Sequence, residues 1–132
     1  MKKRICIVVS SYNDSITKML CLSALKELKK YNFQKIKVFK VPGAFEIPVV
    51  ISKLINSYDG FIAIGCIIKG QTANFDLISQ AITNGIMNIS ISSSKPIGNS
   101  ILTLLNKKQA KKRFNKGKEA AEAVYNVLKI KN

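Results

Sequence analysis

One carboxylate stands out by its position. Glu46 lies in the run Val41-Pro42-Gly43-Ala44-Phe45-Glu46-Ile47-Pro48, where Pro-Gly closes a β-like segment and a helical pattern begins. A lone acid at such a turn can accept hydrogen bonds from a polar ligand, or it can rest in the favourable field of a helix start. Downstream, Gly70-Gln71-Thr72 opens another helical pattern. Unpaired backbone N–H groups there, with the helix dipole behind them, suit an anion such as a phosphate. Cations concentrate in a third place, at Lys107, Lys108, Lys111, Lys112, Arg113, Lys116 and Lys118. Taken alone, that run reads as a solvated helix face. Cys6, Cys21 and Cys66 are scattered, odd in number and set among apolar residues, so they read as core side chains rather than a disulfide framework or a zinc site. The chain has no histidine.

The elements that must hold these groups follow from periodicity. Residues 4–9 form a β-branched apolar run suited to a strand buried on both faces, ending at Ser10-Ser11-Tyr12-Asn13. Asp14 or Ser15 can cap a helix carrying Ile16, Met19, Leu20, Leu22, Leu25 and Leu28 at helical spacing, which Asn32 stops. Residues 35–41 alternate Lys with Ile and Val, predicting a half-exposed edge strand closed by Pro42-Gly43. A helix over about 44–56, a strand over 61–65 and a helix over about 72–89 follow. On that last helix Phe75, Ile78, Ile82, Ile86 and Ile89 share a face, although 86–91 also fits an alternating strand. Residues 96–105 predict a fourth strand, and 107–113 and 118–129 two closing helices, with Ala120, Ala121, Val124, Val127 and Leu128 facing inward. Strand and helix alternate throughout, which predicts a parallel sheet with helices on both faces and the post-strand loops gathered along one edge.

The 132 residues, 47% of them hydrophobic, suffice for one domain with a real core, and no linker or repeat divides the chain. The apolar runs are too short to span a bilayer, and the one after Met-Lys-Lys-Arg is shorter than a signal-peptide core. These features predict a soluble cytoplasmic protein. The formal charge of +15 attracts phosphate backbones whatever the fold. The lysines are spread over nearly every element and lack interleaved aromatics, so only weak, salt-sensitive nucleic-acid binding is expected.

The VPGAFEIP run, together with Ala63-Ile64-Gly65-Cys66-Ile67-Ile68-Lys69-Gly70-Gln71-Thr72 and Asn115-Lys116-Gly117-Lys118-Glu119-Ala120-Ala121, resembles the lumazine synthase family over nearly the whole length. The resemblance implies a three-layer αβα sandwich with a four-stranded parallel sheet, flavodoxin-like in arrangement, forming a single domain over residues 1–132. It further implies condensation of 5-amino-6-(D-ribitylamino)uracil with 3,4-dihydroxy-2-butanone 4-phosphate to 6,7-dimethyl-8-ribityllumazine, without cofactor or metal. Carried over by position, Tyr12 stacks on the pyrimidine, Ala44, Phe45 and Glu46 hold the ribityl chain, and Cys66, Ile67 and Ile68 read the pyrimidine edge through their backbone. Gln71 and Thr72 receive the phosphate at the helix start, joined by Arg113 from a neighbouring subunit and by Lys116.

Where the chain departs from the pattern, specific functions are affected. Asn74 stands at the position of the family histidine, and an amide carries no proton at neutral pH. Acid–base assistance contributes roughly 10²–10⁴-fold, less than alignment of two reactants can, so an active but slowed synthase is expected. Asn99 replaces an aromatic that the adjacent subunit lays over the heterocycle, weakening stacking there. The segment between Arg113 and Asn115 is short, and Lys108 replaces the usual acid before Gln109-Ala110. The family forms homopentamers, some assembled into icosahedral shells, with sites shared between subunits, and riboflavin synthase is a candidate to dock on them. The leading alternative is a catalytically inactive shell or binding protein of the same fold. A flavodoxin-like electron carrier is disfavoured because Ser10-Ser11-Tyr12-Asn13 is too short for a flavin phosphate loop.

Overall fold

The computed structural model describes residues 2–71 and 74–131. Four strands, β1 (Arg4–Ser10), β2 (Lys35–Val41), β3 (Gly60–Ile68) and β4 (Ile97–Leu104), pair in the order β2-β1-β3-β4, all parallel. The helices are α1 (Asp14–Leu28), α2 (Ile47–Leu54), α3 (Phe75–Ser93) and α4 (Lys116–Leu128). Side chains alternate across the sheet, and each face builds its own core. Ile5, Ile7 and Val9 with Ile62 and Ile64 pack under α1 and α4, whereas Cys6 and Val8 with Phe61 and Ala63 pack under α2 and α3. This is the αβα sandwich expected, with the fully buried β3 at its centre.

Most sequence expectations hold at the level of elements. β2 is an edge strand with its lysines exposed. α1 ends at Leu28 rather than at Asn32, which instead terminates the following 3₁₀ turn Lys29–Tyr31 with a left-handed backbone at φ 56° that its short polar side chain tolerates. Phe75, Ile78, Ile82, Ile86 and Ile89 all face the α2/α3 core, so 86–91 continues the helix instead of forming a strand.

Several details differ. Neither Asp14 nor Ser15 caps α1; Asn13 takes the cap position at φ 60° with no side-chain cap bond. Met19 and Leu22 are exposed, because the buried stripe of α1 runs through Ile16, Leu20, Ala24 and Leu28. The second helix opens with a 3₁₀ turn at Ala44–Glu46, and β3 extends to Ile68, so Cys66, Ile67 and Ile68 belong to a strand rather than to the loop after it. Residues Lys107–Arg113 form a 3₁₀ segment, a common form for short connectors. Helix α4 starts two positions earlier than expected, at Lys116, and its Val127 is 48% exposed on the flank of the inward stripe.

Gly117 sets how closely the first turn of α4 packs on α1. A Cβ at this position would lie 2.1 Å from the Leu20 carbonyl oxygen, so only glycine lets α4 meet the backbone of α1. Among the described residues no helix is long and apolar enough to cross a membrane.

Candidate active site

From β1 the chain crosses to β2 on one side, while from β3 it crosses to β4 on the other. The loops after β1 and β3 therefore part company, and this is where an open parallel sheet forms a ligand crevice. A cleft of about 310 Å³ opens there, lined by Tyr12, Gly43, Ala44, Phe45, the end of β3 at Cys66, Ile67 and Ile68, Gln71, and Ile78 from α3.

Backbone hydrogen bonds fix the walls. Ser11 and Tyr12 donate their N–H groups to the carbonyls of Val41 and Pro42 at 2.8 and 3.0 Å, lacing the loop after β1 to the one after β2. The Asn13 amide donates to the Cys66 carbonyl at 3.2 Å and to the Gln71 side-chain oxygen at 3.3 Å, tying the first loop to the third. The left-handed backbone at Asn13 turns the side chain into that bridge. Tyr12 and Phe45 are 52% and 64% exposed, so the cleft lining carries two aromatic rings with surface open to a ligand.

Glu46 is half-buried, and its Oε1 accepts the Gly43 N–H at 2.9 Å, closing the turn on itself. Among the described residues no hydrogen bond engages its other oxygen, and Glu46 itself is not part of the lining that Gly43, Ala44 and Phe45 help to form. The helix-start role considered from sequence is thus present in the geometry, with one carboxylate oxygen left over. In the opposite wall, burial pushes the Cys66 thiol up to about 11, with the positive charge of Lys107 pulling the other way. The thiol stays protonated at neutral pH and is no nucleophile.

Among the described residues singled out from sequence, Asn74, Asn99, Arg113 and Lys116 do not line this cleft. Asn74 is exposed at the cap of α3, its carbonyl accepting the Ile78 N–H at 2.9 Å. Asn99 lies on the edge strand β4 opposite Ala63, its side-chain oxygen accepting the Ile101 N–H at 3.0 Å. Arg113 donates to the Gln109 carbonyl at 2.7 Å, and Lys116 pairs with Glu119 at 3.7 Å. Thr72 lies outside the described residues. Sequence reasoning assigned no role to Asn13, Gly43 and Ile78. Asn13 offered a signal, an αL-tolerant residue directly after a strand, but Ile78 shares the apolar period of α3 and reads as core.

Comparison with known proteins agrees with this architecture. A putative lipoprotein fragment from Peptoclostridium difficile 630 superposes with a TM-score of 0.58 over 96% of this chain and 99% of that one, at 14% identity, a likeness of fold alone. The 6,7-dimethyl-8-ribityllumazine synthase of Limosilactobacillus reuteri is 38% identical, covering 94% of this chain and 84% of the relative. The protein of the same name from Buchnera aphidicola is 39% identical over 99% and 89%, and that from Protochlamydia amoebophila 37% identical over 98% and 80%. The family model described as 6,7-dimethyl-8-ribityllumazine synthase matches residues 2–132, so this chain belongs to that family.

Proposed function

We propose that the chain is a transferase of riboflavin biosynthesis that condenses 5-amino-6-(D-ribitylamino)uracil with 3,4-dihydroxy-2-butanone 4-phosphate in the cleft between the β1 and β3 loops. Family membership supports the reaction. The observation that carries the placement is the lining itself: Tyr12, Ala44 and Phe45 meet the end of β3 and Gln71 around one crevice.

In this reading the pyrimidine lies against Tyr12, with its polar edge on the backbone of Cys66, Ile67 and Ile68. The ribityl hydroxyls reach Ala44, Phe45 and the second oxygen of Glu46, where a charged acceptor discriminates strongly. The phosphate sits at the start of α3 near Gln71 and Thr72. Arg113 and Lys116, which one chain holds away from its own cleft lining, come from a neighbouring copy, and so does Asn99. Alignment of amine and ketone supplies most of the rate. Asn74 orients a water or a substrate hydroxyl without exchanging its own proton.

Residues 1–132 act as one domain in a homopentamer, alone or within an icosahedral shell. The protein works in the cytoplasm without cofactor or metal, with riboflavin synthase as the partner that could draw on its product, and it binds nucleic acid only weakly and non-specifically. Mixing the two substrates with the protein and following lumazine fluorescence tests the reaction, and sizing in solution tests the assembly. Assembly without product would favour the second reading, an inactive shell or binding protein, which the absence of histidine motivates.

A further inference from the structure

Four lysines in the segment after β4 have no counterpart in the roles assigned above. The register pairs Ile68 with Leu104, and the Lys69 N–H donates to the Leu104 carbonyl at 2.9 Å, so β4 ends beside the strand whose tip forms the cleft wall. The chain then folds back on itself. The Leu105 N–H donates to the Gln109 side chain at 2.8 Å, and the Gln109 carbonyl accepts from Arg113 at 2.7 Å. Lys107, Lys108, Lys111 and Lys112 project from this short 3₁₀ scaffold, all exposed. None of them forms an ion pair among the described residues. The chain holds no acid between Asp76 and Glu119, and Glu119 is paired with Lys116. The positive charge of Lys107 also acts on the Cys66 thiol in the cleft wall of its own chain, opposing the larger effect of burial. Of the acids on the cleft side, Asp14 faces Lys18 at 3.9 Å and Glu46 is tied to Gly43, which leaves Asp76 in the first turn of α3.

We propose that Lys107, Lys108, Lys111 and Lys112 form an anion-collecting rim that concentrates the phosphorylated substrate, and not the uncharged pyrimidine, at the cleft. The inference rests on the function proposed above and deepens it. One-signed charge beside a cleft raises the local concentration of an oppositely charged small molecule without touching the reacting atoms. The effect decays within a Debye length of about 8 Å at physiological salt, so it must weaken as ionic strength rises.

The test compares two variants of equal net charge. One carries Lys107→Gln, Lys108→Gln, Lys111→Gln and Lys112→Gln. The other carries Lys26→Gln, Lys29→Gln, Lys53→Gln and Lys131→Gln, four exposed lysines that follow or end elements at the opposite edge of the sheet. In low salt the rim variant raises the KM for the butanone phosphate about ten-fold. Its kcat and its KM for ribitylaminouracil stay at wild-type values, and added salt closes the gap. The control variant matches wild type. Equal KM values in the two variants, or a gap that salt leaves intact, would overturn the rim. Should the rim variant misfold by circular dichroism, Lys107→Gln alone decides, with a KM increase of about two-fold expected from losing one of the four charges. If wild type makes no lumazine, the functional reading fails first. Calorimetric binding of inorganic phosphate, weaker in the rim variant than in the control, then still judges the rim.

Discussion

The crevice between the β1 and β3 loops and the segment that runs from β4 into α4 stand at the same end of the sheet but are built differently. The crevice is complete within one chain: backbone bonds lace its loops together, and its aromatics keep surface open to a ligand. The β4–α4 region carries the guanidinium and most of the nearby positive charge, but Arg113 and Lys116 are turned to partners of their own and line no part of that crevice. A crevice and a guanidinium that do not meet in one chain fit the proposed arrangement, in which a second copy supplies Arg113. Preorganisation thus resides in the first region and the electrostatics in the second.

The largest expected effect strengthens the first region. Asn74→His restores a titratable group at the start of α3 and should raise kcat by about 100-fold, the lower end of general acid–base assistance; an unchanged turnover number would show that proton transfer does not limit the step. Gly117→Ala damages the second region and leaves the crevice alone. The new methyl would press on the Leu20 carbonyl, a backbone atom that cannot swing aside, and should cost about 2–3 kcal/mol in urea unfolding.

The division itself is tested by complementation. Tyr12→Ala and Arg113→Ala should each lower kcat/KM, by about ten-fold for lost ring contact and about 30-fold for a lost charge-assisted hydrogen bond worth ~2 kcal/mol. Co-expressed, they should regain about one quarter of the wild-type sites, because random mixing in a symmetric ring pairs an intact crevice with an intact arginine that often. Activity no higher than that of the better single variant would place both halves in one chain. The smallest effect concerns Cys66. Because burial raises this thiol to about 11, it is neutral below that pH and loses its proton only above it. Cys66→Ser should therefore leave the pH–rate profile between pH 6 and about 9 unchanged within about two-fold, and a profile that loses a basic limb would contradict the assignment.

Reading from sequence worked best where local pattern and burial agree. The apolar run around Ile7 and the lysine alternation of β2 announce a central and an edge strand, since a strand covered on both faces excludes charge and an edge admits it. It worked less well where an apolar side chain falls just outside the buried stripe. Met19, Leu22 and Val127 have helical spacing but lie on faces that the sheet does not cover. At the candidate site, Tyr12, Ala44 and Phe45, which the family resemblance singled out, all line the cleft. The bridge from Asn13 to Cys66 and Gln71 joins positions more than 50 residues apart, and no local period encodes it.

The order of residue types along the chain was enough to determine the strands, the helices, the PGAFE turn and the positive run, because each depends on neighbours a few positions away. Only the tertiary structure decided that one Glu46 oxygen is spent on its own turn, that the end of β3 forms a wall, and that Arg113 points elsewhere. Those outcomes depend on which distant segments pack side by side, and the direction of a side chain at such a junction is set by the competition among all the groups that meet there.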